Sequence, residues 1–155
     1  MKKLSMLFAL MCMMIFPMIQ LQAQEQGVAE NDIVGIWINE ETQDTLSIYK
    51  LGDNFFGKID ELKEPNDSNG NPRTDINNPD PKLRMRLLKG LTFLTGCEFD
   101  HDEWDNGSYY NYVTGETNNC KIKIPDVNNK NRLSIKTFSA TSSGKTTYWT
   151  KKKTN

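Results

Sequence analysis

Residues 118–124 read NNCKIKI, and this short stretch decides the fold of the chain. In it, Cys120, Ile122 and Ile124 alternate with two lysines. Because successive side chains of a β-strand point to opposite faces, the alternation predicts a strand with one buried and one solvated face. Antiparallel sheets commonly have one face in the core and one in water, so the stretch indicates an antiparallel β protein.

The same alternation recurs along the chain. Leu46 and Ile48 share one face of a predicted strand, and Leu133 and Ile135 form a similar pair. Turn residues separate the predicted strands, which are 34–39, 45–51, 55–60, 91–98, 108–113, 118–124, 132–140 and 145–151. An Asn-Gly pair predicts a hairpin turn within residues 104–108. Short strands at regular spacing, without long amphipathic helices, predict an all-β fold, either a sandwich or an up-and-down barrel.

One region departs from this pattern, the turn-rich loop at 61–80 and the stretch that follows it. Residues 75–90 read DINNPDPKLRMRLLKG. Asp80 followed by Pro81 is a helix-start signal, whereas the alternation after it is typical of a strand. We therefore predict one helical turn at 80–83 and an extended segment to residue 90.

Two arginines of this stretch are candidates for an anion-binding site. On an extended segment Arg84 and Arg86 share a face, and paired guanidinium groups bind a carboxylate or phosphate well. The alternative is that both are solvated or pair with a nearby Asp or Glu. The sequence leaves these alternatives open.

The N-terminus predicts export. Lys2 and Lys3 precede an apolar run over residues 4–21, and small Ala23 offers a cleavage site. Residues 1–23 are thus predicted to be a signal peptide, with a transmembrane anchor as the alternative. After cleavage we expect no membrane span, a flexible arm at 24–31, one domain at 32–153, and a location in the bacterial periplasm or outside the cell.

The charge balance bears on partners. The chain holds 19 basic and 20 acidic residues, a net charge of −1. Removal of Lys2 and Lys3 leaves the mature chain slightly more acidic. Because no basic face is expected, nucleic acid is a poor candidate partner. We also expect a monomer.

Cysteine and histidine usage limits the chemistry. A bridge between Cys97 and Cys120 would close a loop of about two dozen residues and stabilise by roughly 3 kcal/mol. The alternative is a pair of buried thiols, which behave as small hydrophobes. His101 has no ligand spacing to either cysteine, and its acidic surroundings at 100–103 predict a solvated turn. No nucleophile motif is present, so no catalytic residue, metal or cofactor is expected.

Several motifs occur in an order that resembles the domain-of-unknown-function 2147 family (DUF2147) of exported bacterial proteins. They are Gly35-Ile36-Trp37, Gly57-Lys58-Ile59, Asn78-Pro79-Asp80-Pro81, Leu83-Arg84 with Arg86, Tyr110-Asn111 and Tyr148-Trp149-Thr150. The resemblance covers essentially the whole mature chain. It implies an antiparallel up-and-down, lipocalin-like β-barrel of about eight strands, with one long loop and a short helical turn near 80–84. It implies no established activity or cofactor.

The resemblance also implies roles for individual residues. In lipocalin-like barrels the Gly-x-Trp tryptophan packs on a basic side chain of the last strand, so barrel closure is assigned to Gly35, Trp37, Trp149 and Lys151. The polar motif residues and the two arginines are taken as ligand-binding candidates: Asn78, Asp80, Arg84, Arg86, Tyr110 and Asn111.

Three functions follow from this picture. The first is a barrel that binds a small molecule without catalysis, with aromatic side chains that either line a cavity or fill it: Phe56, Trp104, Tyr109, Tyr110 and Tyr112. The alternative is a structural or protein-interaction module of the cell envelope, and a hydrolase of unknown substrate is the third. A cavity inside the barrel would favour the first, and a fully packed interior the second.

Overall fold

A computed structural model of the chain describes residues 27–140 and 144–153. The predicted signal peptide, residues 1–23, and residues 24–26 of the predicted arm lie outside the described residues. The described chain forms one closed antiparallel barrel of eight strands, in which each strand pairs with its neighbours along the sequence. The last strand pairs with the first, which confirms the up-and-down barrel over the sandwich.

The strands are short, and two 3-10 helices accompany them. The helices are Glu30–Ile33 and Pro81–Leu83. The strands are β1 Gly35–Asn39, β2 Thr45–Leu51, β3 Asn54–Glu61, β4 Thr92–Asp100, β5 Glu103–Asn111, β6 Glu116–Lys123, β7 Arg132–Phe138 and β8 Thr146–Lys151.

The barrel interior is filled by the alternating apolar residues that the sequence shows. Leu46 and Ile48 of β2, Ile122 of β6, and Leu133 and Ile135 of β7 are all buried. Their neighbours along each strand face outward, because side chains alternate across a strand. The period of two in the sequence is therefore the pattern that separates the core from the surface.

The predicted hairpin at the Asn-Gly pair is wrong. Residues 106 and 107 lie inside β5, and the chain instead turns at 100–103, where His101 has a φ of 55°. Asn106 has a φ of 58°, and the pairing of β5 with β6 shifts register between Trp104 and Gly107. Asparagine tolerates the left-handed conformation in a β-bulge as well as in a turn, so the same signal fits both. The acidic stretch forms the turn, as predicted.

The barrel closes where β1 pairs with β8. Trp37 pairs with Lys151 across β1 and β8, and the Lys151 ammonium lies 5.1 Å from the centre of the Trp37 ring. Gly35 has a φ of 138°, and a Cβ there would stand 3.2 Å from Lys151 Cε. Glycine thus provides both the backbone conformation and the space for the lysine stem. Trp149 is buried two residues before this contact.

The first 3-10 helix covers the same end of the barrel. Ile33 is fully buried, and its carbonyl accepts a hydrogen bond from Trp37 Nε1 at 2.8 Å. The Glu30 carbonyl accepts one from Trp104 Nε1 at 3.0 Å. Residue 30, predicted to belong to a flexible arm, is therefore held against the barrel, because the core tryptophan Trp104 finds its acceptor there.

Candidate functional site

The stretch after the long loop is only partly as predicted. The 3-10 helix Pro81–Leu83 confirms the helical turn, and its N-cap Asp80 accepts a hydrogen bond from Lys82 N at 3.0 Å. The extended segment is wrong. Arg84 keeps helical angles, and one isolated bridge, Thr74 with Leu87, is the sheet-like contact of this segment within the described chain.

The two arginines do not form a joint anion site. Arg84 Nε donates to the Asn78 carbonyl at 2.7 Å. Arg86 Nε donates to Asp75 Oδ2 at 2.8 Å, and Arg86 Nη2 forms an ion pair with the same oxygen at 2.7 Å. The alternative reading, in which an arginine pairs with a nearby acid, is therefore the correct one for Arg86.

Asp75 is the centre of a closed polar network, here called the Asp75 cluster and made of Asp75, Asn78, Arg86 and Tyr110. The Asp75 side chain is fully buried, and besides Arg86 it accepts from the Tyr110 hydroxyl at 2.6 Å and from Asn78 Nδ2 at 2.7 Å. Burial and the bond to Asp75 raise the pKa of Tyr110. A charge buried with this many donors is satisfied by the chain itself, so the cluster fastens the loop to β5 and leaves no ligand position.

A cavity lies elsewhere, at the barrel end opposite the first 3-10 helix. This open-end cavity has a volume of about 290 Å³. Its apolar lining is Leu46, Ile59, Phe93 and Trp149. Its polar lining includes Asn39, Asp44, Tyr109, Asn111 and Thr147. Among the predicted ligand-binding residues, Asn111 is the one that lines it; Trp149, assigned to closure, lines it too.

Three hydrogen-bond donors of the open-end cavity have no acceptor within residues 27–140 and 144–153. They are the Tyr109 hydroxyl, Asn39 Nδ2 and Asn111 Nδ2. The amide oxygens are used: Asn39 Oδ1 accepts from the backbone N–H of Glu41 and Thr42, and Asn111 Oδ1 from that of Val113. Since no fully enclosed polar atom of the described chain is unsatisfied, these donors have access to the cavity or to water.

The charged groups around the open-end cavity are already engaged. The Asp44 carboxylate accepts from the Tyr112 hydroxyl at 3.0 Å and from Lys63 N at 2.8 Å. Lys145 pairs with Glu41 at 2.6 Å at the mouth. Burial, and then the charge of Asp44, raise the pKa of Tyr112, so the Tyr112 phenol stays neutral at ordinary pH.

Burial also dominates the chemistry of Tyr109. It raises the pKa of this tyrosine to about 12, with smaller contributions from Cys120 and Asp44. The Tyr109 ring packs edge-on against Phe93, with the ring centres 5.2 Å apart. The hydroxyl is thus held in place by ring packing and stays a hydrogen-bond donor across the physiological range.

The two cysteines are buried free thiols, so the predicted disulfide is not formed in this structure. They lie on β4 and β6, on either side of Gly107 of β5, whose missing side chain makes room for both sulfurs. A hydrogen bond to Cys97 and burial raise the pKa of Cys120. The described residues contain no group of three or more potential metal ligands, and none of their helices is long and apolar enough to cross a membrane.

Sequence reasoning missed the most informative cavity residues. Asn39 stands at the end of a predicted strand and Tyr109 was one of several aromatics that either line or fill the barrel. A polar residue at an inward-facing position near a strand end is the signal that marks both. It becomes readable only when the barrel register is known, because the register decides which side of a strand faces inward.

The family model described as "Uncharacterized protein conserved in bacteria (DUF2147)" matches residues 35–151, and the chain belongs to this family. Among solved structures, the chain is similar to protein HP1028 from the human pathogen Helicobacter pylori, which is described as a member of the lipocalin family. The TM-score is 0.65 at 22% identity, over 77% of this chain and 82% of that chain, a likeness that shows the fold alone. No curated protein matches the chain.

Proposed function

We propose that this DUF2147 protein binds a small neutral amphiphile in the open-end cavity without transforming it. The observation that carries the proposal is the set of three donors, on Asn39, Tyr109 and Asn111, that lack an acceptor among the described residues and lie beside an apolar lining. Ligand pockets combine mostly apolar walls with a few placed polar groups in this manner. A lipocalin-like barrel of eight strands is wide enough for one small ligand.

The cavity chemistry favours a carbonyl group over a charged one. The three donors have access to the cavity or to water, so a ligand carbonyl oxygen can accept from them, with a net gain of about 0.5–1.5 kcal/mol for each hydrogen bond. The Asp44 carboxylate disfavours a second anion in the same space, and the lysine at the mouth is paired with Glu41. An ammonium group would add its own donors beside the three protein donors, which need an acceptor. An amide or ester on a short apolar chain therefore fits best.

The size of the open-end cavity limits the ligand. At about 290 Å³ it lies just below the lower limit of the range of roughly 300–1,000 Å³ for ligand sites. The apolar side chains Leu46, Ile59 and Trp149 offer a surface for a short hydrocarbon tail. A long lipid chain would not fit unless part of it remained outside.

The head-group preference can be tested with three probes that share one tail: hexanamide, hexanoate and hexylamine. NMR titration should show hexanamide shifting the signals of Asn39, Tyr109 and Asn111, with hexanoate and hexylamine each at least tenfold weaker. The proposal fails if none of the three shifts these signals, or if hexylamine binds best. Native mass spectrometry of protein purified from its own source would then identify the natural ligand.

A matched pair of variants tests the donor role. Asn111→Asp keeps the oxygen that accepts from Val113 N but removes the Nδ2 donor, so hexanamide affinity should fall about tenfold. Asn119→Asp makes the same chemical change at an exposed position of β6 and should leave the affinity unchanged. Equal losses in both variants would point to a general charge effect and would contradict the proposal.

We also propose that the protein acts after export, as a monomer, in the periplasm or outside the cell. The basic and apolar N-terminal stretch with Ala23 supports this location. N-terminal sequencing of the protein from a cell envelope fraction should begin at Gln24, and light scattering should give the mass of one chain. An N-terminus at Met1 would argue against cleavage.

A further inference from the structure

Exposed apolar side chains gather on one loop of this protein. Nine large apolar side chains are exposed within the described residues, and five of them lie on or beside residues 76–87: Ile76, Leu83, Met85, Leu87 and Val113. Met85 is 78% exposed and Ile76 is 62% exposed. Val113 joins the group because its carbonyl accepts from Asn77 Nδ2 at 2.8 Å. Single exposed apolar residues are ordinary, whereas a group of this size marks an interaction surface.

Positive charge is interleaved with these apolar side chains, and the two together are here called the loop patch. Lys82, Arg84 and Lys89 form no ion pair within the described chain, while Arg86 is neutralised by Asp75. Asp80 is the one acidic residue in 76–90. The loop patch is thus basic on a chain whose net charge is −1.

The loop patch is held in shape before any partner arrives. Leu88 is buried, and its backbone N–H donates to the Arg73 carbonyl at 3.0 Å. The Asp75 cluster fixes the other side of the loop through Arg86. Docking would therefore require little ordering of the loop, which favours binding through this surface.

We propose that the loop patch docks the protein on an anionic lipid surface, a role that goes beyond ligand binding in the cavity and does not depend on it. Met85 and Leu87 enter the headgroup layer. Lys82 and Lys89 bind lipid phosphates, and so do the Nη groups of Arg84, whose Nε donates to the Asn78 carbonyl. Long basic side chains keep their charge at the surface while their stems cover apolar groups, the usual arrangement at a membrane interface. Protruding side chains suit a soft layer, whereas a protein partner would need a pocket for each of them.

Docking in this orientation has a consequence for the cavity. Val113 belongs to the loop patch and also lines the open-end cavity. The cavity mouth would then lie close to the lipid headgroups. A ligand with an apolar tail could then pass between the lipid surface and the open-end cavity without crossing water.

Vesicle flotation tests the proposal on the signal-free chain. Vesicles of phosphatidylcholine with 30% phosphatidylglycerol should carry the protein at 50 mM salt, and vesicles of phosphatidylcholine alone should not. Binding should weaken at 500 mM salt, because the screening length falls to a few ångströms. Failure to float with the anionic vesicles at 50 mM salt would overturn the proposal, as would equal flotation with both compositions.

Variants assign the binding to the loop patch. Lys82→Gln with Lys89→Gln should reduce the partition coefficient about 25-fold, roughly fivefold for each charge, and Met85→Ser with Leu87→Ser should reduce it at least tenfold. The matched controls are Lys58→Gln with Lys136→Gln on strands, and Leu51→Ser at the β2–β3 turn, all at exposed positions. Controls that lose as much binding as the loop variants would overturn the assignment.

Measuring the insertion depth distinguishes insertion into the lipid from a purely electrostatic contact at its surface. The three native tryptophans are all buried, so Met85→Trp adds one exposed reporter. Its emission should shift to the blue on anionic vesicles and be quenched by brominated lipid chains. An unquenched reporter on bound protein would mean that the loop stays outside the lipid, and would refute insertion.

Discussion

The Asp75 cluster and the open-end cavity are both polar regions beside β5, yet their hydrogen bonding is opposite. In the cluster, the buried Asp75 carboxylate accepts from Asn78, Arg86 and Tyr110. In the cavity, Tyr109 and Asn111 retain donors for which the described part of the chain offers no acceptor. Consecutive residues of one strand, Tyr109 and Tyr110, therefore belong to different environments.

The difference shows how a structural polar site can be told from a binding site. A network whose members satisfy one another gains nothing from a ligand, and it is costly to disturb because a buried charge would lose its partners. Donors that lack an acceptor contribute nothing to the fold and are free to bind a ligand. The motif residues around 75–86 thus stabilise the loop, and the less distinctive residues of the cavity are the candidates for function.

The largest expected effect comes from removing the centre of the cluster. Asp75→Ala leaves Arg86, Asn78 and Tyr110 without their common acceptor, and the free energy of unfolding should fall by about 3 kcal/mol. Urea denaturation followed by circular dichroism measures it. Hexanamide binding to the remaining folded protein should be unchanged, because the open-end cavity shares no hydrogen bond with Asp75.

Asp80→Ala is the matched control for that loss. Asp80 is exposed and caps a helix of three residues, so its removal should cost less than about 1 kcal/mol. If both substitutions cost the same, the Asp75 cluster would not be the structural centre of the loop.

Alkaline pH should reveal the next largest effect, since it acts on the tyrosines of both regions. An unfolded tyrosine ionises near pH 10, whereas the folded pKa of Tyr109 is about 12 and those of Tyr110 and Tyr112 are raised. The folded state therefore holds these protons more tightly. Stability should be fully present well below pH 10, and Tyr109 alone should lower it by about 2 kcal/mol as pH rises from 10 to 12.

Absorbance of the phenolate near 295 nm follows this titration directly. Tyr109→Phe should remove one late-ionising group and flatten the decline in stability above pH 10. A titration in which all five tyrosines of the chain ionise together near pH 10 in the folded protein would contradict the burial of Tyr109.

The sharpest comparison removes one hydroxyl from each of two neighbouring tyrosines in separate variants. Tyr110→Phe removes a donor to a buried carboxylate and should destabilise the protein by about 1.5 kcal/mol without affecting hexanamide binding. Tyr109→Phe should change stability by less than about 0.5 kcal/mol but weaken hexanamide binding fivefold to tenfold. Calorimetric titration and urea denaturation on both variants measure the two effects.

The reverse pattern, with Tyr109 supporting the fold and Tyr110 supporting binding, would break the distinction between the two regions. Loss of both properties in either variant would mean that the cluster and the cavity are coupled through β5.

Much of the barrel is readable from local sequence, and the errors have a common cause. The alternation at Ile122 and Ile135 reports burial of one strand face wherever the strand pairs. The Asn-Gly pair at 106–107 failed because a left-handed asparagine serves a bulge as well as a turn. The prediction of a joint arginine site failed because Asp75, the partner of Arg86, lies eleven residues away. The path of that loop cannot be read from the alternation of its residues.

The sequence by itself determined the strand periodicity, the eight-stranded count, the capped turn at Pro81–Leu83 and the tryptophan–lysine closure, since each depends on local spacing or on a motif typical of the family. Tertiary structure alone decided which polar groups meet. Asp75 and Tyr110 are 35 residues apart, and the cavity is assembled from residues of seven different strands and their turns. Whether a donor is satisfied depends on what stands opposite it, and that is settled only when the barrel closes.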